Sequence, residues 1–550
     1  MRKFFKKTTL VVTVFILILS TMFVSGCKLP KIPDLDREPE SVDSTRTQLY
    51  VGNYNGGIGE KWLWDAKERF EVIHPEVQIM IDNGKDEYST GNLMSNIKTN
   101  RQDMYIVDDV SYYTLANAGH LMEITDLVTK GGDDSIDARM NDSLKAFYKT
   151  PNEKYYAVPF YEGFYHMIYD ADLFEEYNLW LNVQGTGFVE TKTEPRYPGL
   201  SGKPDAWDEG LPRTYSQFFM LLDHMYNLGI TPLTWSGKFK DPYLPYFLNS
   251  LMADYQGVDF ANNFNYTGKV KVLKNYDFSD APVGQYAMPQ GNYETVTVEK
   301  SNAKQTFAKA AAKYYTIKFA KDIVSNGYKY VNQLTVNSSS ETQTMAQDTF
   351  LRSRYLGKPI GMLIDGGWWY NEASVPMQAM ADEYGEEWSK MNRKFGVMPF
   401  PKADDGSSAE GRTFAATAGS CVFISSYTTK AAIAKEFFEF INTKDSMERF
   451  TKTTSIKRPY DYELSESDFA QMPPYSKSLF DASSEANFIY MVPNAQISPE
   501  MLPLQASLIA QFGSDFEDVS SGNPIVTFFE NTRKTAKSYF QGLLTAAARK

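Results

Sequence analysis

From Gln48 onward, short apolar runs alternate with stretches whose apolar residues return every three or four positions. That is the pattern of strands interleaved with amphipathic helices in an α/β protein. Gln48 to Val51 reads as a first strand, Asn53-Tyr54-Asn55-Gly56-Gly57 as a flexible loop, and Glu60 to Ile73 as a helix with Trp62, Ala66, Phe70 and Ile73 on one face, ended by His74-Pro75. Val77, Ile79 and Ile81 alternate as a second strand. Met104 to Val107 form a short buried strand ending at Asp108-Asp109, where open α/β sheets place their ligand crevices. Behind Pro212, Thr214 and Gln217 spell a capping box; Phe218, Leu221, Leu222 and Met225 then line one helix face, and Gly229 stops it. Ala312, Tyr315, Phe319 and Ile323 mark another helix, as do Ile433, Phe437, Phe440 and Ile441. Ile360 to Ile364, Phe395 to Met398 and Cys421 to Ser425 read as strands. Residues 182–210 and 257–302 are polar, rich in Gly, Pro, Tyr and Asn, and weakly periodic. They read as surface insertions or hairpin excursions, because structureless loops of that length are uncommon inside compact domains.

The first 27 residues have a different pattern. A basic start (Arg2, Lys3, Lys6, Lys7) precedes an apolar run from Leu10 to Leu19 and then Val24-Ser25-Gly26-Cys27. The run is shorter than the roughly 20 apolar residues of a spanning helix and ends as a cleaved export signal does. The small residue before Gly26-Cys27 resembles a lipobox, which implies diacylation of Cys27 as the mature N-terminus; an ordinary secretory signal is the alternative. Residues 28–47, with Pro30, Pro33 and Pro39, read as a flexible tether, which reaches at most about 70 Å. The formal charge of −12 becomes −16 once the four signal-peptide cations are removed. Such a body excludes nucleic acid as a partner and disfavours anionic lipid surfaces. With Cys27 acylated, Cys421 is the only other thiol, so no intramolecular disulfide forms; its apolar setting reads as a small buried hydrophobe. The four histidines lack metal spacing, and no phosphate-binding glycine motif appears, so neither metal nor cofactor is expected.

Tyr156-Ala157-Val158-Pro159-Phe160-Tyr161-Glu162-Gly163, continuing through Tyr165 to Tyr169 into Asp170-Ala171-Asp172-Leu173-Phe174, resembles the interlobe crossing of extracellular solute-binding proteins of the maltose-binding, carbohydrate-importer group. Further segments match in the same order: Leu211 to Tyr215, Gly229 to Leu233, Gly357 to Met362 before Asp365-Gly366-Gly367-Trp368-Trp369, Phe395 to Pro399, and Ala434 to Phe440. The resemblance spans Gln48 to Arg458 with the two insertions unmatched. It implies an α/β, two-lobed, periplasmic-binding-protein-like (type II) clamp crossed three times by the chain. The lobes would be 48–158 plus 412–450, and 159–411 plus 451–550. Such a clamp closes by hinge motion on a ligand held from both sides. The resemblance further implies a monomeric, non-enzymatic, lipid-anchored receptor on the outer face of the bacterial membrane, delivering a carbohydrate to the permease subunits of an ATP-driven ABC importer. The insertions suggest an oligosaccharide.

A pyranose offers an apolar face for stacking and a rim of hydroxyls that need fixed partners. Trp368 and Trp369, after a Gly-Gly bend, are candidate platforms. Asp108, Asp109, Glu162 and Asp365 are candidate acceptors, with Tyr161 the alternative to Glu162 because the register is open. Tyr54 and Asn55 contribute from the other side, and Trp235 and Arg458 complete the set. The rival from another class is a secreted glycoside hydrolase with two carboxyl groups about 5–10 Å apart, for which Asp108 and Glu162 are the nominees. The absence of an eight-fold strand-helix repeat speaks against its commonest scaffold. A peptide or amino-acid clamp of the same fold would call on Arg458 for a ligand carboxylate.

Overall fold

The computed structural model describes residues 40–549 apart from 55, 85, 109, 162, 200–201, 203–205, 238–242, 259–267, 290, 325–328, 337–339, 417–419 and 491–534. Cys27 and the expected signal, with nearly all of the tether, lie outside the described residues.

The chain starts with β1 (Thr47–Tyr54), α1 (Lys61–Ile73), β2 (Val77–Gly84), β3 (Met104–Val107) and the two-residue β4 (Val158–Pro159). It continues through β5 (Tyr165–Asp170), α2 (Tyr215–Asn227), β6 (Thr231–Thr234), α3 (Tyr243–Gln256), β7 (Lys269–Leu273), β8 (Tyr293–Thr297), α4 (Ala311–Ile323), α5 (Gln343–Ser353), β9 (Ile360–Gly366), α6 (Trp369–Glu372), β10 (Phe395–Met398) and β11 (Arg412–Ala416). Then come β12 (Cys421–Ile424), α7 (Ala431–Ile441), α8 (Lys444–Thr454), α9 (Pro474–Ser484), β13 (Ala486–Tyr490) and α10 (Ala536–Arg549).

Two main sheets result. One has the order β2-β1-β3-β12-β4, the other β10-β5-β9-β6. In the first, β1 runs parallel to β2 and β3, while the late strand β12 inserts antiparallel between β3 and β4. β3 and β12 are buried along their whole length, which explains their unbroken apolar sequence. α1 lays Trp62, Leu63, Ala66 and Phe70 inward, and Phe70 meets Phe437 and Phe440 of α7 edge-on at 5.1 and 5.4 Å. In the second sheet, β5 is antiparallel to both β10 and β9, and β6 is parallel to β9. The capping box of α2 forms as its sequence spells it: Thr214 Oγ1 accepts from Gln217 N, and Gln217 Oε1 accepts from Thr214 N.

Each sheet carries its own core of buried side chains. Phe414, Ala415 and Ala416 pack in the second core, whereas Ile456, Tyr460 and Tyr462 pack in the first. Of the two insertions, 182–210 is turn-rich, with the Arg196 guanidinium 4.2 Å above the Trp180 ring. The other contains the β7-β8 hairpin. It is tied to the C-terminal helix, because Asp280 accepts both the Tyr314 hydroxyl at 2.7 Å and the backbone N–H of Lys537 at 3.0 Å. Among the described residues no helix is long and apolar enough to cross a membrane, and no cluster of three metal-ligating side chains occurs.

Candidate functional site

Both sheets bring strand ends to the zone between the two cores. From the first lobe come Tyr54 at the end of β1, Asp108 just after β3, and Tyr161 just after β4. The Tyr161 hydroxyl donates to Asp108 Oδ2 at 2.7 Å, and the Ser420 hydroxyl donates to Asp108 Oδ1. Tyr161 is 6% exposed. Burial first, and then the Asp108 carboxylate, push its phenol well above the ordinary tyrosine value, so it stays a neutral donor. The arrangement fixes Asp108 as an oriented acceptor.

The second lobe supplies rings. Trp368 follows β9 and caps α6; it is half-buried and packs against both cores. Its ring stands at 89° to Tyr165, with centroids 5.0 Å apart. Tyr165 in turn stacks on Tyr246 at 5.4 Å and 10°, and meets Tyr243 edge-on at 5.6 Å. Trp368 hydrogen-bonds the Tyr243 hydroxyl. A Cβ on Gly366 would lie 2.3 Å from indole atoms Cζ2 and Cη2 of Trp368. Glycine there is what allows the indole to fold back over the strand end. The result is a row of aromatic rings, of which Tyr246 is 36% exposed.

Asp365 sits in β9 at 1% exposure. Its Oδ1 accepts from the backbone N–H of Gly366 at 2.7 Å and its Oδ2 from Gln347 Nε2 at 3.0 Å; the same Gln347 nitrogen donates to Glu372 Oε2 at 2.8 Å. Burial, and then Glu372, raise the Asp365 carboxyl well above the usual carboxylate range. This residue braces α6 from within and does not reach open space.

The remaining candidates are scattered. Trp369 is fully buried against Phe395 and Tyr475, at 5.1 and 5.2 Å, and Trp235, after β6, is 2% exposed in the same core. Arg458 is 1% exposed; its guanidinium donates to the carbonyls of Ile441 and Pro159 and to Asn442 Oδ1. Ile441 ends α7, so this cation satisfies carbonyls left open at a helix C-terminus. Arg139 donates to the next carbonyl, that of Asn442, at 3.0 Å. Both arginines line a cavity of about 380 Å³ that also meets Phe164, Phe480 and Phe488 but not Asp108, Tyr161 or Trp368. Asn55, Asp109 and Glu162 lie outside the described residues.

Thus Asp108 and Tyr161 pair beside Tyr54 at strand ends of the first lobe, and Trp368 packs against both cores, while Trp235, Trp369 and Asp365 are buried in the second lobe and Arg458 lines a cavity whose walls come from both cores. The candidate set lacked Tyr165, Tyr243, Tyr246 and Ser420. Tyr243 and Tyr246 carry a signal, an i, i+3 aromatic pair at the start of a helix. Ser420 carries none.

A family model described as bacterial extracellular solute-binding protein matches residues 66–475. No curated protein sequence matches the chain. Among solved structures, RafE in complex with raffinose superposes with a TM-score of 0.54 at 15% identity, covering 90% of this chain and 100% of that one. A chitin oligosaccharide binding protein gives 0.55 at 15% identity, with 92% and 98% covered. The Thermus thermophilus maltotriose binding protein bound with maltotriose gives 0.52 at 13% identity, with 91% and 99% covered. At these identities the likeness concerns the fold, a two-lobed α/β clamp.

Proposed function

Because the chain belongs to the bacterial extracellular solute-binding protein family, we propose that it is the receptor of an ABC importer and captures an oligosaccharide between its lobes. What supports this reading is an aromatic row in one lobe, Trp368, Tyr165 and Tyr246, of which Trp368 also packs against the other core, and the oriented carboxylate of Asp108 in that other lobe. Rings cover the C–H face of a sugar and Asp108 accepts from its hydroxyls, with Tyr54 and Tyr161 beside it. Asn55, Asp109 and Glu162 adjoin these positions in sequence and belong to the same proposed site. The guests of proteins with similar folds support the class of ligand: raffinose, maltotriose and chitin oligosaccharides. Diacylation at Cys27 would hold the receptor firmly at the outer face of the membrane, since more than one acyl chain is needed for stable anchoring.

A thermal-shift screen with raffinose, maltotriose and chitin oligosaccharides tests the reading. A ligand at 100 times its Kd stabilises the folded form by about 2.7 kcal/mol. Trp368→Ala is expected to weaken the stabilising sugar about thirtyfold, the loss of a stacking anchor of about 2 kcal/mol. No shift with any sugar, together with a shift from peptides or amino acids, would overturn the carbohydrate reading.

A further inference from the structure

The lobes touch at Gly57, in the loop between β1 and α1. A Cβ on Gly57 would lie 2.5 Å from Cδ1 and 2.9 Å from Cβ of Trp368, and 2.9 Å from Oε1 of Glu372. The first lobe's backbone therefore rests on an indole edge and a carboxylate of the second. Neither can step aside easily. The indole lies over Gly366, stands against Tyr165 and is hydrogen-bonded to Tyr243. Glu372 is held by Gln347, whose amide is committed to buried Asp365 as well. Backbone conformation does not explain a glycine here. Gly59, two residues on, has a φ of 70°, whereas Gly57 is not among the glycines of positive φ. Space does explain it, because any side chain at 57 would meet atoms that are fixed.

We infer that Gly57, seated on Trp368 and Glu372, is a latch between the lobes that draws the ligand-free clamp toward its closed form and sets how tightly it grips a guest. The inference rests on the clamp reading above. A contact made only when the lobes approach favours the closed form by its own free energy, and the apparent affinity of a ligand enclosed by both lobes scales with the closed fraction. Residue 57 thereby governs affinity with no need to touch the ligand.

The test compares wild type with Gly57→Ala, using Gly91→Ala as control, since a Cβ on Gly91 meets nothing within 4 Å. Small-angle scattering of the ligand-free proteins and titration with the sugar that stabilises wild type are the two measurements. Gly57→Ala is expected to enlarge the radius of gyration and weaken the sugar about tenfold, the consequence of a tenfold lower closed fraction. Gly91→Ala is expected to match wild type in both. Equal scattering for Gly57→Ala would overturn the latch whatever its affinity, because weaker sugar binding with unchanged lobe spacing would report only a displaced Trp368. So would a large compaction of wild type on adding sugar, a measurement that needs no variant. If no sugar binds, the carbohydrate reading fails alone, and the ligand-free scattering difference still decides the latch.

Discussion

His166 lies opposite Asp365 in the β5-β9 ladder, fully buried, with its ring nitrogens 3.2 Å from the Phe164 carbonyl and 3.0 Å from the Tyr475 hydroxyl. Burial holds its imidazole down from the ordinary 6.5 to about 4, against a smaller opposing effect of the Phe164 carbonyl. Above pH 6.5 both folded and unfolded chains keep the ring neutral. Between pH 6.5 and 4 the unfolded chain takes a proton that the folded one refuses, so stability falls by roughly 3 kcal/mol across that window and no further below it. Denaturant midpoints measured from pH 7.5 to 4 check this, and His166→Asn should have a flatter profile than wild type. The acid Asp365 has the opposite sign. Raised in the fold, it holds its proton more tightly than the unfolded chain does, and its contribution declines as pH rises. Sequence nominated Asp365, just before the Gly-Gly bend and Trp368, as an acceptor for sugar hydroxyls. That the side chain turns instead toward Gln347 depends on α5, which no local pattern connects to β9.

The helices were the most readable elements. α2 shows why: its start is a reciprocal pair of side-chain and backbone bonds, its buried face recurs with the helical period, and its end is a glycine. Thr214→Ala should cost about 1 kcal/mol, seen as a lower denaturation midpoint with unchanged slope. Strands were readable where buried on both faces, as in β3, β9 and β12, and less so at their ends: β1 runs to Tyr54, three residues past the expected Val51. The pairing of β11 with β13 could not be read at all, because Arg412–Ala416 and Ala486–Tyr490 are joined in register by parallel contacts across the α7 to α9 region. Hairpin β7-β8 lies in the described part of the second insertion. Its tie to α10 through Asp280 is a contact between segments 257 residues apart.

For the molecule as a whole, two cores with an aromatic edge between them suit a clamp that grips and releases. Purified protein incubated with the stabilising oligosaccharide should return it uncleaved by chromatography; hydrolysis products would instead favour the glycosidase alternative with Asp108 as one of its acids. Local order along the chain was enough to establish the alternation of strands and helices, the export signal and tether as expectations, and the family to which residues 66–475 belong. Periodicity and capping are written into neighbouring residues, and a fold class follows from their succession. That Asp365 braces a lobe and that Asp108 is held by Tyr161 and Ser420 follow from packing. Asp108 is oriented by Ser420, 312 positions away, and Gly57 acquires its meaning from Trp368 and Glu372. Such partners meet because sheets and helices stack in space, and a single chain of letters holds no local trace of who will stand opposite whom.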